Sequence, residues 1–207
     1  MRNTKEVILS TALDLFNSRG LSQVTLRTIA GETGISQGNL NYHFKKREDI
    51  IEALYFQLVQ NIDEKIAGVT NSPISLNWVI GLSSLIMDNF FQFKFFLLDF
   101  VQIMRASTTI HTHYLALSEE REKQFTFIFQ CLVREGFLRE EEIVNEYANY
   151  YKRLRIMGDF WISSAEILNK NVTISIKSDY LKLIVESLYP YLTEKGKVEY
   201  RCICIDI

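Results

Sequence analysis

The amino-acid sequence predicts an all-α protein, a three-helix N-terminal head followed by a larger helical body. Three observations carry this. Apolar residues recur at helical spacing in every long segment between Thr4 and Lys195. Only 9 glycines and 2 prolines punctuate 207 residues, so long helices are easily accommodated. No strand-like alternation of useful length occurs before the tail. Val198 to Ile207 alone has β character, and a terminal stretch of that kind is expected to fray.

The first helix is expected over Thr4 to Arg19, with Asn3 and Glu6 spaced as a capping box and Gly20 closing it. Ile8, Ala12, Leu15 and Phe16 share one face. A second helix spans about Leu26 to Thr33, with Thr25 as cap and Gly34 after it. A third starts behind Ser36 and reaches about His43. None of these is long enough to stand alone in water, so they must share a core, for which Ile29, Ala30, Ile35, Leu40 and Phe44 are the candidates. A fourth helix starts near Arg47. Glu48 and Asp49 suit the positive end of its macrodipole, and Ile50, Leu54, Leu58 and Ile62 form its stripe. The stretch Thr70 to Pro73 reads as a hinge. The expected division is 1–47 for the head and 48–207 for the body, with the helix from about 47 to 67 connecting them. Further helices are expected over Ile74 to Phe91, Phe93 to Arg105, Thr109 to Glu135, Glu141 to Leu168 and Ile176 to Thr193.

Composition excludes several classes. A hydrophobic fraction of 47% with 23% charged residues is too apolar for disorder. The greasiest run, Asn89 to Met104, contains Lys94 and Asp99 and is too short to span a bilayer, so no membrane partner is expected. Met1 to Arg19 carries charges throughout and lacks the apolar region of a secretory signal. Three cysteines make no disulfide framework, and a cytoplasmic location is the default. No phosphate-binding glycine loop or nucleophile elbow is present, so the chain does not read as an enzyme. No cofactor or metal is expected either. His111 and His113 lie two apart, on different helix faces, and Cys202 with Cys204 lacks further ligands. Charge is uneven. Met1 to Arg47 carries seven Lys/Arg against three Asp/Glu, the remainder sixteen against twenty-two, so a polyanion would meet the head.

The informative stretch is Leu26-Arg-Thr-Ile-Ala-Gly-Glu-Thr-Gly-Ile-Ser-Gln-Gly-Asn-Leu40. Ala30 is small where two helices cross, and Gly34 tolerates the dihedrals of a tight turn. The third helix then presents Gln37, Asn39, Asn41, Tyr42 and His43. Amide side chains can read base edges in the major groove, and Lys45, Lys46 and Arg47 follow at once for the phosphates. An ordinary helical hairpin with polar residues facing water would look similar.

Gly34-Ile-Ser-Gln-Gly-Asn-Leu-Asn-Tyr-His-Phe-Lys-Lys-Arg-Glu-Asp-Ile50 resembles the signature of the tetracycline-repressor (TetR) family, as do Arg19-Gly20 and Thr25 to Ala30. The resemblance covers Thr4 to Ala53. It implies DNA contacts from Arg27, Ser36, Gln37, Gly38, Asn39, Asn41, Tyr42, His43, Lys46 and Arg47. Asn41 stands where the family usually has a tyrosine, so operator preference does not transfer. The resemblance also implies a repressor that binds a palindromic double-stranded operator as a homodimer and is released by a small-molecule effector.

In the body, six phenylalanines fall between Phe90 and Phe100, and Phe125, Phe127 and Phe129 follow. Aromatics at helical spacing usually form core. The resemblance makes them the wall of an effector cavity for an apolar or amphipathic molecule. The residues expected there are Phe91, Phe95, Asp99, Gln102, Arg105, Tyr114 and Tyr151. The last two long helices are expected to pair with their copies through Ile156, Phe160, Trp161, Ile167, Leu181, Ile184, Val185 and Leu188. The rival reading is a helical lipid-binding or adaptor protein that does not touch DNA.

Overall fold

A computed structural model describes residues 3–69, 73–169 and 171–203, and every element in them beyond short turns is helical. Residues 70–72 of the expected hinge, and Cys204, lie outside the described residues. The head comprises α1 (Thr4–Arg19), α2 (Leu26–Thr33) and α3 (Gln37–His43). Its ends are set by local chemistry. The Asn3 side chain accepts the Lys5 N–H at 3.2 Å, Thr25 accepts from Thr28, and Ser36 accepts from Asn39. Each such cap contributes about 1 kcal/mol. Gly34 takes φ 73°, the left-handed conformation that lets α2 stop and α3 depart. Ile8, Ala12, Phe16, Ile29, Ala30, Leu40 and Phe44 are buried together, and Ile35 is half-buried.

The long α4 (Arg47–Val69) leaves this cluster and enters the body, where it packs on α5 (Leu76–Gln92). Then follow α6 (Lys94–Leu98), α7 (Phe100–Ala106), α8 (Thr108–Arg134), α9 (Glu146–Asn169), α10 (Ile174–Glu186) and α11 (Glu194–Ile203). One contiguous hydrophobic cluster runs from Ile8 to Leu192, so head and body share buried surface.

Three sequence expectations are corrected. The segment expected as one helix over Phe93 to Arg105 is two, broken at Asp99, where the chain turns so that Phe95 packs on Phe16 with ring centroids 5.2 Å apart. Helix α10 stops at Glu186 instead of Thr193. A short turn over Tyr189–Tyr191 follows, containing Pro190, which has no N–H to continue a ladder. The tail through Ile203 is helical instead of frayed. Thr193 accepts the Gly196 N–H at 3.1 Å as a cap, and the Thr193 N–H binds the Phe137 carbonyl at 3.0 Å. Gly196 lies against that same carbonyl, and a Cβ there would overlap the Phe137 oxygen. Gly196→Ala is therefore expected to destabilise the chain by roughly 1–3 kcal/mol, read as a lower midpoint in thermal melting.

Candidate nucleic-acid interface and effector cavity

The outer face of α3 is polar and open to solvent. Leu40 anchors it to the core, while Ser36, Gln37, Gly38, Asn39 and Asn41 are exposed and Tyr42 is 84% exposed. His43 is half-buried with its ring edge-on to Tyr42 at 5.2 Å. A large aromatic left in water beside a row of amides has no folding role, whereas it has an apolar ring and hydroxyl to offer a duplex. Arg27 is exposed on α2, and Lys45 and Lys46 on the turn before α4. The Lys45 and Lys46 backbone N–H groups both bind the Asp49 carboxylate at 3.1 Å, which fixes that turn and leaves the ammonium groups outward. Arg47 is different from the expectation. Its guanidinium donates to the Leu21 carbonyl at 2.8 Å and the Val24 carbonyl at 3.3 Å, so it clamps the α1–α2 connection. Leu21 and Val24 are buried on the turn between α1 and α2, where the Leu21 carbonyl accepts only a long 3.4 Å bond from the Val24 N–H and so has room for the guanidinium.

The body holds a partly open cavity of about 210 Å³ lined by residues of α4 to α10. Most of the lining is apolar, with Leu58, Met87, Phe90, Phe96, Phe100 and Phe125 among it. A polar ladder runs through it. Tyr114, Ser118 and Arg121 recur every turn of α8, and Tyr151, Arg155 and Asp159 do the same on α9. The ladders are cross-linked. The Tyr114 hydroxyl donates to Asp159 at 2.6 Å, Arg155 donates to the Ser118 hydroxyl at 2.5 Å, and the Tyr151 hydroxyl donates to the Ser118 carbonyl at 3.3 Å. Arg121 also pairs with Asp63 of α4.

Of the seven residues expected in this wall, Tyr114 and Tyr151 line it and five do not. Phe95 is buried against α1, Phe91 packs on the core outside the lining, and Gln102 and Arg105 border a shallow outer depression. Asp99 lies at the head–body junction. Burial pushes its carboxyl up, with the Leu21 N–H and Arg47 pulling the other way. The sequence signals of this lining are the i, i+4 pair Arg155 and Asp159 and the Tyr114, Ser118, Arg121 spacing, rather than the phenylalanine run.

Burial lifts the Asp159 carboxyl to about 6, against the Tyr114 hydrogen bond and Arg155. A carboxyl raised in the folded state favours folding while protonated. That contribution is whole below the unfolded value near 3.8 and is lost as pH rises through about 6. Asp159→Asn should therefore raise the melting temperature at pH 7.5 and flatten its dependence between pH 4 and 6; an unchanged slope in that window would contradict the assignment.

Head and cavity meet at α6. On one side Phe96 and Leu97 line the cavity. On the other, the Asn17 side chain of α1 grips the α5–α6 joint from both ends. Its Nδ2 donates to the Gln92 carbonyl at 2.8 Å, and its Oδ1 accepts the Phe95 N–H at 3.0 Å. A five-residue helix thus carries cavity wall and head contact on adjacent residues.

The residues expected at a dimer interface divide. Ile156, Phe160 and Ile167 are 58%, 43% and 81% exposed on α9, and Leu168, Ile174 and Leu183 extend this apolar exposure. Trp161, Leu181, Val185 and Leu188 are buried within the single chain, Trp161 against Tyr180, and Ile184 lines the cavity. These five serve the chain's own core, because their helix faces point at the other body helices.

A helix-turn-helix head on an all-helical body that carries a cavity is the architecture of a DNA-binding transcription regulator. The family profile described as "Bacterial transcriptional repressor", TetR, matches residues 57–200, and that described as "Bacterial regulatory proteins, tetR family" matches residues 8–54. The chain belongs to the TetR family of DNA-binding transcription regulators, which are not enzymes. It is similar to the HTH-type transcriptional regulator YerO of Bacillus subtilis, at 33% identity over 75 residues, which are 33% of this chain and 26% of that protein. The chain spans about a quarter of the length of the curated relatives it matches (23–29%). Its fold is similar to that of a TetR-family regulator from Marinobacter aquaeolei VT8, with TM-score 0.86 and 21% identity over 97% of each chain. The SmeT–triclosan complex is a more distant match, with TM-score 0.58 and 17% identity over 92% of each chain. No described helix is long and apolar enough to cross a membrane.

Proposed function

We propose that this regulator acts in the cytoplasm as a homodimeric repressor. It binds a palindromic operator through residues 1–47 and is released when a small apolar or amphipathic effector enters the cavity of residues 48–207. The observation that carries this reading is the face of Gln37, Asn39, Asn41 and Tyr42, held outward by a buried Leu40 and flanked by the exposed Arg27, Lys45 and Lys46. Arg27, Ser36, Gly38, His43 and Lys46 complete the proposed contact set, while Arg47 positions the head. The exposed apolar row Ile156, Phe160 and Ile167 supports pairing of two copies. A two-fold dimer would offer two α3 helices to successive major grooves about 34–36 Å apart. A bound effector would press on Phe96 and Leu97, shift α6 and the start of α4, and change that spacing. Ligand and DNA would then oppose each other by about 1–3 kcal/mol.

The test is a gel-shift series at several salt concentrations with DNA from upstream of the chain's own coding sequence, beside light scattering. The expected result is a dimer at micromolar concentration whose DNA affinity falls linearly on logarithmic axes with salt. A monomer, or the absence of any shift, would contradict the proposal.

A further inference from the structure

The reading of the cavity as an effector site leaves open what chemistry it selects, and the inference below rests on that reading. The polar ladder of α8 and α9 carries two guanidinium groups and one carboxylate. Arg121 has its counter-ion in Asp63. Arg155 has no such direct pair: among the described residues no carboxylate oxygen lies within 4 Å of its guanidinium, Asp159 acts on it only from farther away, and its named hydrogen bond is a single one, to the Ser118 hydroxyl. The nearby Asp159 carboxylate is occupied by the Tyr114 hydroxyl. A guanidinium has five N–H donors in a planar fork. Arg155 is half-buried and spends one donor on Ser118, and none of its nitrogens is both buried and unpartnered, so the rest of the fork is open to water that a carboxylate can replace with a stronger, charge-assisted pair. Leu58, Met87, Phe90 and Phe96, also in the lining, offer nothing to an ion and much to a hydrocarbon.

We infer that the effector is an organic monoanion, an alkyl or aryl carboxylate whose head forks onto Arg155 and whose tail lies against the phenylalanine wall. Size follows from the same cavity. A space of about 150 Å³ holds benzene, so 210 Å³ suits roughly eight to ten non-hydrogen atoms. A neutral alcohol of that length would gain the tail contacts but leave the guanidinium unmatched. An alkylammonium would meet two guanidinium groups against one carboxylate, Asp159, that the Tyr114 hydroxyl already engages.

The test uses the full chain and three probes of one length, octanoate, 1-octanol and octylammonium, titrated by calorimetry without DNA. Octanoate is expected to bind at least tenfold tighter than 1-octanol, with octylammonium weakest. Arg155→Met should erase the octanoate advantage and leave 1-octanol within about twofold. Arg155→Lys, which keeps the charge but not the fork, should fall between. Equal or tighter binding of 1-octanol or octylammonium overturns the inference, as does binding of none of the three by a folded chain that still shifts its DNA. Octanoate binding through Arg155 by a chain that shifts no DNA supports the anion site and removes the regulatory reading instead.

Discussion

Asn39→Ala is expected to lower affinity for the specific operator by ten- to a hundredfold and to blur the preference at one base position. That corresponds to the roughly 1–3 kcal/mol carried by one bidentate amide–base contact. The Asn39 backbone N–H is held by Ser36, so its side chain projects from a fixed position in the first turn of α3. Lys46→Ala should behave differently. It should weaken binding to all sequences alike and reduce the logarithmic salt slope by about one, because an exposed ammonium contacts phosphate and releases one counter-ion's worth of salt dependence. Competition gel shifts at three salt concentrations separate the two. Identical profiles would remove base reading from α3. Arg47→Ala, by contrast, should lower the melting temperature of the head, since it deletes the clamp on the Leu21 and Val24 carbonyls.

Asn17→Ala is expected to separate effector binding from DNA release. The side chain is outside the cavity lining and outside the proposed DNA contacts, yet its amide joins the Gln92 carbonyl and the Phe95 N–H to α1. Two hydrogen bonds of this kind contribute about 1 kcal/mol each, of the same order as a typical allosteric coupling. A ligand that releases the unsubstituted chain from DNA should bind the variant within about twofold by calorimetry. It should need at least tenfold more ligand to release the operator. Release at an unchanged concentration would show that the signal travels through α4 alone.

The head was legible in the sequence because its determinants are local. Asn3, Thr25, Ser36, Gly20 and Gly34 mark ends chemically, and Ile8, Phe16, Ile29 and Leu40 bury at the spacing a helix dictates. The body was less legible, since its helices are apolar on more than one face. Phe95 and Phe96 are adjacent in sequence, yet one seats the head and the other lines the cavity; only tertiary packing decides which. Arg47 read as a phosphate contact because cations precede it, while its inward turn to the Leu21 and Val24 carbonyls, 26 and 23 residues away in sequence, is set by tertiary packing. The tail read as β from Val198 and Tyr200, while Thr193 as cap and Gly196 as a close-approach residue carried the helical signal.

The most direct measurement is a chemical-protection footprint of the full chain on its proposed operator. The expected pattern is two guarded major-groove patches on one face of the duplex, centred a whole number of helical turns apart, each weakened by Tyr42→Ala. A single patch, a separation off the helical repeat, or protection indifferent to Tyr42 would mean that α3 is not what meets DNA.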